Sequence, residues 1–221
     1  MNPLEVKSVK EYNVLPVPRN VIRNFIEEWH YTHSINGLQS SYCFGLYCGD
    51  ELIGAMIYGG LGMANVWKKY GETKEEVLEL RRLCLIDDTK RNAESYFIGK
   101  TLKWLRKNTN VKTIVSYADP NHGHEGIIYK ATNFTLVGKT TKTKVIKYGD
   151  KIYHDKAIRT KYKGELKPFA QRLVDALNSG EAYYIEQEPK NIYVKELIKW
   201  LKYILKTIAY LAKWQNANYK N

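Results

Sequence analysis

The sequence predicts a mixed α/β domain built on a mostly antiparallel central sheet with crossover helices, and three observations predict it. Apolar residues at helical spacing alternate with short strand-like runs; two of those runs are joined across Gly49-Asp50, a hairpin turn signal; and a strand leads through a polar loop into a helix and then into an uncharged strand. At 221 residues, 44% of them hydrophobic, the chain is long enough to bury one substantial core.

After Pro16-Val17-Pro18, the segment 20–29 places Val21, Ile22, Phe25, Ile26 and Trp29 on one helical face, with Asn20 as the expected N-cap. The helix runs out into His30-Tyr31-Thr32-His33, so polar and aromatic groups gather at its exit. Segments 41–48 and 51–58 read as the two arms of the hairpin, and 78–86 as a third strand that becomes fully apolar toward its end. A polar loop, 87–93, precedes a helical pattern at 94–107 carrying Phe97, Ile98, Leu102, Trp104 and Leu105. A short buried strand at 113–117 ends at Ala118-Asp119-Pro120. A helix near 125–132 and a strand pair at 135–138 and 144–148 follow.

Beyond Gly149 the composition becomes basic. The expected division is a catalytic domain over 1–150, a basic C-terminal extension over 151–193, and an amphipathic terminal helix with its tail over 194–221. In the last segment Val194, Leu197, Ile198, Leu201, Ile204, Leu205, Ile208 and Leu211 form an apolar stripe, with lysines outside it. Such a stripe docks on its own domain, joins two copies as a homodimer, or lies on an anionic membrane surface; protein contact is the expected use.

A formal charge of +12 and a pI near 9.4 point to a polyanionic partner, because a basic surface gains free energy by releasing counterions from nucleic acid. Lys139, Lys142, Lys144, Lys147, Arg159, Lys161 and Lys163 form the basic block expected to run along DNA phosphates. Cys43, Cys48 and Cys84 show no metal-ligand spacing and read as reduced, inert thiols. No signal peptide and no run of about 20 apolar residues appears, so the expected location is the cytoplasm and a membrane is not an expected partner.

Three places offer chemistry. In the loop before the second helix, Arg91, Asn92 and Ser95 stand where helix N-terminal N–H groups attract phosphate; a solvated capping loop is the alternative. The run from Ser116 through Asp119 to Tyr129 delivers a hydroxyl and a carboxylate to the C-terminal end of a strand, where open α/β sheets bind ligands. A phenol, Tyr129, lies one helix later; such groups handle the protons of an amine, although Asp119-Pro120-Asn121 also makes a good turn. His30 and Tyr31 form a third cluster, and with Asp119 they are the candidates for a metal site.

The ordered set His30-Tyr31, Ser41-Tyr42, Glu79-Leu80-Arg81-Arg82, Arg91-Asn92-Ala93-Glu94-Ser95, Ser116-Tyr117-Ala118-Asp119 and Gly126-Ile127-Ile128-Tyr129 resembles the Mom family of phage DNA-adenine modification proteins. The similarity spans roughly 15–195 and includes Tyr184-Ile185-Glu186 and Pro189-Lys190-Asn191-Ile192-Tyr193. It implies a GNAT-like acyltransferase fold, double-stranded DNA as substrate, and conversion of adenine to an N6-carbamoylmethyl derivative that shields DNA from restriction, in the host cytoplasm. Carried over by motif, Asp119 and Tyr129 are the central catalytic pair, with Ser116, His30 and Tyr31 lining the same pocket, while Arg82 joins Arg91, Asn92 and Ser95 on the donor side. The group donor stays open, acetyl-CoA or another acyl donor, as does iron. The loop 89–95 lacks the glycines with which most GNAT enzymes cradle the CoA pyrophosphate. Two other functions fit the same composition: an N-acetyltransferase acting on a protein, a small amine or RNA, and a basic nucleic-acid-binding protein without catalysis.

Overall fold

A computed structural model describes residues 2–197 and divides the chain into two compact units. Among the described residues the first comprises 2–117, 126–136 and 193–197, the second 118–125 and 137–192. In chain order the elements are β1 (Asn13–Pro16), α1 (Arg19–Trp29), β2 (Tyr42–Cys48), β3 (Glu51–Gly59), β4 (Val77–Leu85), α2 (Ala93–Asn108), β5 (Thr113–Ala118) and α3 (Ile127–Ala131). They continue with β6 (Thr135–Lys139), β7 (Thr143–Tyr148), β8 (Lys151–His154), β9 (Lys161–Tyr162), β10 (Glu165–Leu166), α4 (Pro168–Ser179), β11 (Ala182–Gln187) and β12 (Asn191–Glu196).

In the first unit the sheet runs β1-β2-β3-β4-β5-β12-β6. The first four strands pair antiparallel, and β5 joins β4 in parallel. The hairpin β2–β3 turns at Gly49, whose φ of 60 demands a residue tolerant of the left-handed region. Strand alternation then sends Cys43, Ala55 and Ile57 to one face, where α1 buries Ile22 and Ile26 on them. On the opposite face Phe44 meets Tyr58 and Trp104 edge-on, and the Tyr58 hydroxyl bonds Thr101 of α2 at 2.8 Å. The sheet is therefore sandwiched between α1 and α2.

Helix α1 begins at Arg19, with Pro18 and not Asn20 at its N-cap. Pro18 supplies extended backbone and a carbonyl that accepts from Val21 N at 3.1 Å, which places Asn20 inside the first turn. The Arg19 guanidinium reaches forward to the carbonyls of Ile35 and Leu38 and ties down the loop leaving the helix. The sequence reading also omitted β1, an edge strand of four residues ending in proline.

Gly126 opens α3 with φ at 77, and a Cβ there would sit 2.6 Å from Tyr193 Oη. Tyr193 is 1% exposed and its ring stacks at 5.3 Å on Tyr129. Gly126→Ala is thus expected to destabilise the protein by about 1–3 kcal/mol through overpacking, plus the backbone strain, read as a lower urea midpoint with unchanged slope.

In the second unit a three-stranded sheet, β11-β7-β8, carries α4 on one face. Ile146 faces Leu173, Ala176 and Ala182 in its core. The β7–β8 hairpin turns at Gly149-Asp150, and β9 and β10 form a two-residue hairpin.

Val194–Glu196, read from sequence as the start of the terminal helix, lie instead in β12, where Ile192, Tyr193 and Val194 favour strand backbone and Tyr193 is buried. The remaining stripe positions beyond Leu197 fall outside the described residues, and with them the proposed homodimer contact. Among the described residues no helix is long and apolar enough to cross a membrane. All three cysteines are thiols, Cys43 and Cys48 buried and Cys84 half-buried, and burial pushes the Cys84 thiol up to about 12.

Candidate active site

In the first unit β4 and β5 pair only from Val77 to Glu79 against Thr113 to Val115, and then part. A register shift between Ile57 and Tyr58 leaves Arg81 without a partner opposite it on β3. Ser116, fully buried at the parting, donates from Oγ to Leu80 O at 3.4 Å. Tyr129 comes off α3 onto Ser116, with which its hydroxyl is hydrogen-bonded. Burial raises the Tyr129 phenol above its ordinary pKa and the Ser116 bond only partly offsets this, so Tyr129 stays protonated at neutral pH and serves as a donor. Tyr58, wholly buried beneath, is raised for the same reason.

Three further groups lie within electrostatic reach of Tyr129: Tyr31, Glu79 and Tyr193. Tyr31 stacks on His30 with ring centroids 4.4 Å apart, and it faces Arg82, whose half-buried guanidinium donates to Arg81 O at 2.7 Å. Burial lowers the Arg82 pKa, yet at any working pH it remains a cation. Glu79 is almost buried and is held by Gly62 N at 3.2 Å and by Arg81 at 3.6 Å. Four residues expected from sequence, His30, Tyr31, Ser116 and Tyr129, thus share one part of the first unit, together with Arg82. Glu79, Tyr58 and Tyr193 were not singled out beforehand; the motif Glu79-Leu80-Arg81-Arg82 was the available signal for the first of them.

Asp119 lies in the second unit. It caps the turn Pro120–His122, its Oδ1 accepting from Asn121 N at 3.1 Å and Asn121 Nδ2 at 2.8 Å. Its Oδ2 is 2.6 Å from Lys190 Nζ. The carboxylate is 7% exposed, so burial alone would raise its pKa, but Lys190 and Asn121 together outweigh burial and hold it below the usual carboxylate range. Asn121 in turn exchanges two bonds with the backbone of Glu188, at 3.1 and 3.0 Å, and Lys190 and Thr140 pair through their backbones. The Asp119-Pro120-Asn121 turn is present, therefore, but a turn needs only one carboxylate oxygen. Lys190 takes the other, and no local spacing could have revealed it.

Because its folded pKa is depressed, Asp119 contributes stability above its unfolded value, near 3.9, and loses it as pH falls through the lower folded value. Lys190→Met removes the ammonium and leaves burial dominant, so acid unfolding followed by circular dichroism should move to higher pH. An unchanged midpoint would contradict the pairing.

On the donor side, α2 begins after Asn92, which is left-handed at φ 71 and makes no side-chain cap. Ser95 Oγ donates to Asn92 O at 3.0 Å, while Arg91 and Asn92 are exposed. Three loop amides are already engaged: Thr89 N with Asp87 O at 2.9 Å, Lys90 N with Tyr12 Oη at 3.1 Å and Ala93 N with Lys90 O at 3.1 Å. The loop thus fits a CoA pyrophosphate poorly, lacking the glycines that let backbone approach it closely. Iron does not fit the residues present either: His30 Nδ1 accepts from Thr32 N at 3.1 Å, and among the described residues no three His, Cys, Asp or Glu side chains converge.

Within the basic block some groups are already partnered. Lys144 pairs with Glu186 at 3.8 Å and Arg159 with Asp155 at 2.6 Å, whereas Lys163 lies over the Tyr162 ring. Lys139, Lys142 and Lys161 are exposed, and Lys147 is half-buried.

An antiparallel run from β1 to β4, continued by a parallel β5 that parts from β4 over a buried hydroxyl pair, makes this a mixed α/β protein with a mostly antiparallel sheet. The model of the Mom protein family matches residues 11–211, and the chain belongs to that family. A curated relative, the protein named methylcarbamoylase mom of Escherichia phage Mu, is 31% identical over 138 residues, which is 61% of this chain; the match spans 56% of that protein's length. Among solved structures, a spermidine/spermine N-acetyltransferase from Vibrio cholerae overlays with a TM-score of 0.48 at 10% identity, covering 88% of this chain and 97% of the other. The ribosomal-protein-S18-alanine N-acetyltransferase from Escherichia coli gives 0.47 at 10% identity, covering 85% and 95%.

Proposed function

We propose that the chain is a phage-type DNA modification enzyme, a GNAT-like transferase that converts adenine in double-stranded DNA to its N6-carbamoylmethyl derivative, acts in the host cytoplasm and protects the DNA from restriction. The observation that carries this reading is the buried Ser116–Tyr129 hydroxyl pair at the parting of β4 and β5, in a chain of the Mom family.

Adenine N6 is a weak nucleophile inside a base stack, so the base must be extruded, at a cost of a few kcal/mol. Tyr31, nearly half exposed and backed by His30, is the surface on which we place the extruded ring. As the C–N bond forms and the bond from that carbon to the donor breaks, its electron pair leaving with the donor, the N6 proton becomes strongly acidic. Proton acceptance is the role that the family motif assigns to Asp119, whose carboxylate Lys190 and Asn121 hold below the usual range. Tyr129, neutral, donates to and orients the reacting groups, and Ser116 positions its hydroxyl. Arg82, Arg91, Asn92 and Ser95 are assigned to the donor side, where Arg82 supplies positive charge; which donor they meet is left open.

Expression of the chain in cells should render their DNA resistant to restriction nucleases whose sites contain adenine, and DNA that remains fully cleavable would refute the reading. Binding to duplex DNA should weaken with salt, with a slope near −0.9 in log K for each phosphate neutralised. Because Lys144 and Arg159 are already paired, Lys142→Ala should reduce that slope more than Lys144→Ala or Arg159→Ala.

A further inference from the structure

The sheet of the second unit has one face under α4 and one face open. Alternation along β7 puts Ile146 on the covered face, so Val145 and Lys147 point the other way. The register aligns Tyr183, Lys147 and Ile152 in one row across β11, β7 and β8, and Ile185, Val145 and His154 in the next. Tyr183 is 57% and Ile152 61% exposed, unusual for an aromatic and a branched aliphatic side chain flanking the same sheet position. Between them stands a lysine, and the segment 139–167 surrounding the face holds ten lysines and arginines against three acidic residues. Of those acids, Asp155 is already taken by His154 and Arg159 at 2.6 Å each.

We propose that this open face binds a single-stranded stretch of DNA, with Tyr183 stacking on an unpaired base, Ile152 packing beside it and Lys147 meeting the phosphate. An exposed ring on a flat sheet beside cationic charge is the usual construction for holding unpaired bases, and a duplex conceals the base faces such a ring would engage. A second copy of the chain fits less well, because self-association would bring the central lysines and the basic segment against like charge. The inference rests on DNA being the substrate and adds a surface for an unpaired stretch of it.

Fluorescence anisotropy with the full chain, a single-stranded DNA oligonucleotide and its blunt duplex tests it. Tyr183→Ala should weaken single-strand binding about tenfold, the loss of one stacked base, and Tyr183→Phe should retain it. Tyr184→Ala, next in sequence but on the α4 side of the sheet, should leave it unchanged. Lys147→Ala should lower the single-strand salt slope by about 0.7. Equal effects of Tyr183→Ala and Tyr184→Ala, equal losses on single strand and duplex, or a change of mass in solution with Tyr183→Ala would each overturn the proposal. Binding needs no catalysis, so a chain that shows the Tyr183 effect yet modifies no DNA refutes the enzymatic reading alone.

Discussion

Asp119→Asn is expected to lower adenine modification by about 10²–10⁴-fold, the usual contribution of a positioned proton acceptor, while the protein stays folded. The amide keeps the shape of the carboxylate and one carbonyl oxygen to accept from Asn121, so the turn at Pro120–His122 persists. What it loses is the negative charge opposite Lys190. The Lys190 side chain is 45% exposed, so water can solvate the ammonium and the stability cost stays small. Nucleoside analysis of substrate DNA beside a thermal melt separates the two effects. A variant that keeps full activity removes Asp119 from the chemistry and favours a nucleic-acid-binding protein without catalysis.

Tyr129→Phe is expected to be nearly as damaging, about 10²-fold or more, for a different reason. The ring remains, with its packing on Phe134 and Tyr193 at 5.5 and 5.3 Å, but the donor hydroxyl is gone. Ser116 keeps its bond to Leu80 O, so little besides the Tyr129–Ser116 hydrogen bond is lost, about 1 kcal/mol of stability. Phenol pKa does not set the pH dependence, because the raised Tyr129 remains neutral throughout the working range; the pH profile of the wild type should therefore show no tyrosine limb near neutrality. Unaltered rates with the phenylalanine variant would assign the hydroxyl a purely structural role.

The parts of the fold that were legible in the sequence are those with a strong local period. The β2–β3 hairpin announced itself through alternation and Gly49-Asp50, and α1 and α2 through apolar spacing. β1 was hidden because Pro16 ends it and only its pairing with β2 makes it a strand. β11 and β8 were hidden because each exposes alternate apolar residues, Tyr183 and Ile152, so neither shows the apolar-in, polar-out alternation. Of the candidate residues, Ser116 and Tyr129, which the fold brings together, stand out in the sequence from their place around a strand end, as does Asp119 in the turn that follows. Lys190 and Glu79 acquire meaning only through contacts with residues distant in sequence, Asp119 for the first and the Tyr129 cluster for the second. The basic block is contiguous in sequence, and only the structure shows that Lys144 pairs with Glu186 and Arg159 with Asp155.

Mass spectrometry of nucleosides from the DNA of cells expressing the chain tests the central claim most directly. The account predicts N6-carbamoylmethyladenine in DNA from cells making the wild-type protein and its loss, at equal soluble protein, with Asp119→Asn and Tyr129→Phe. Unmodified adenine alone in the wild-type sample, with the folded protein present, would contradict it.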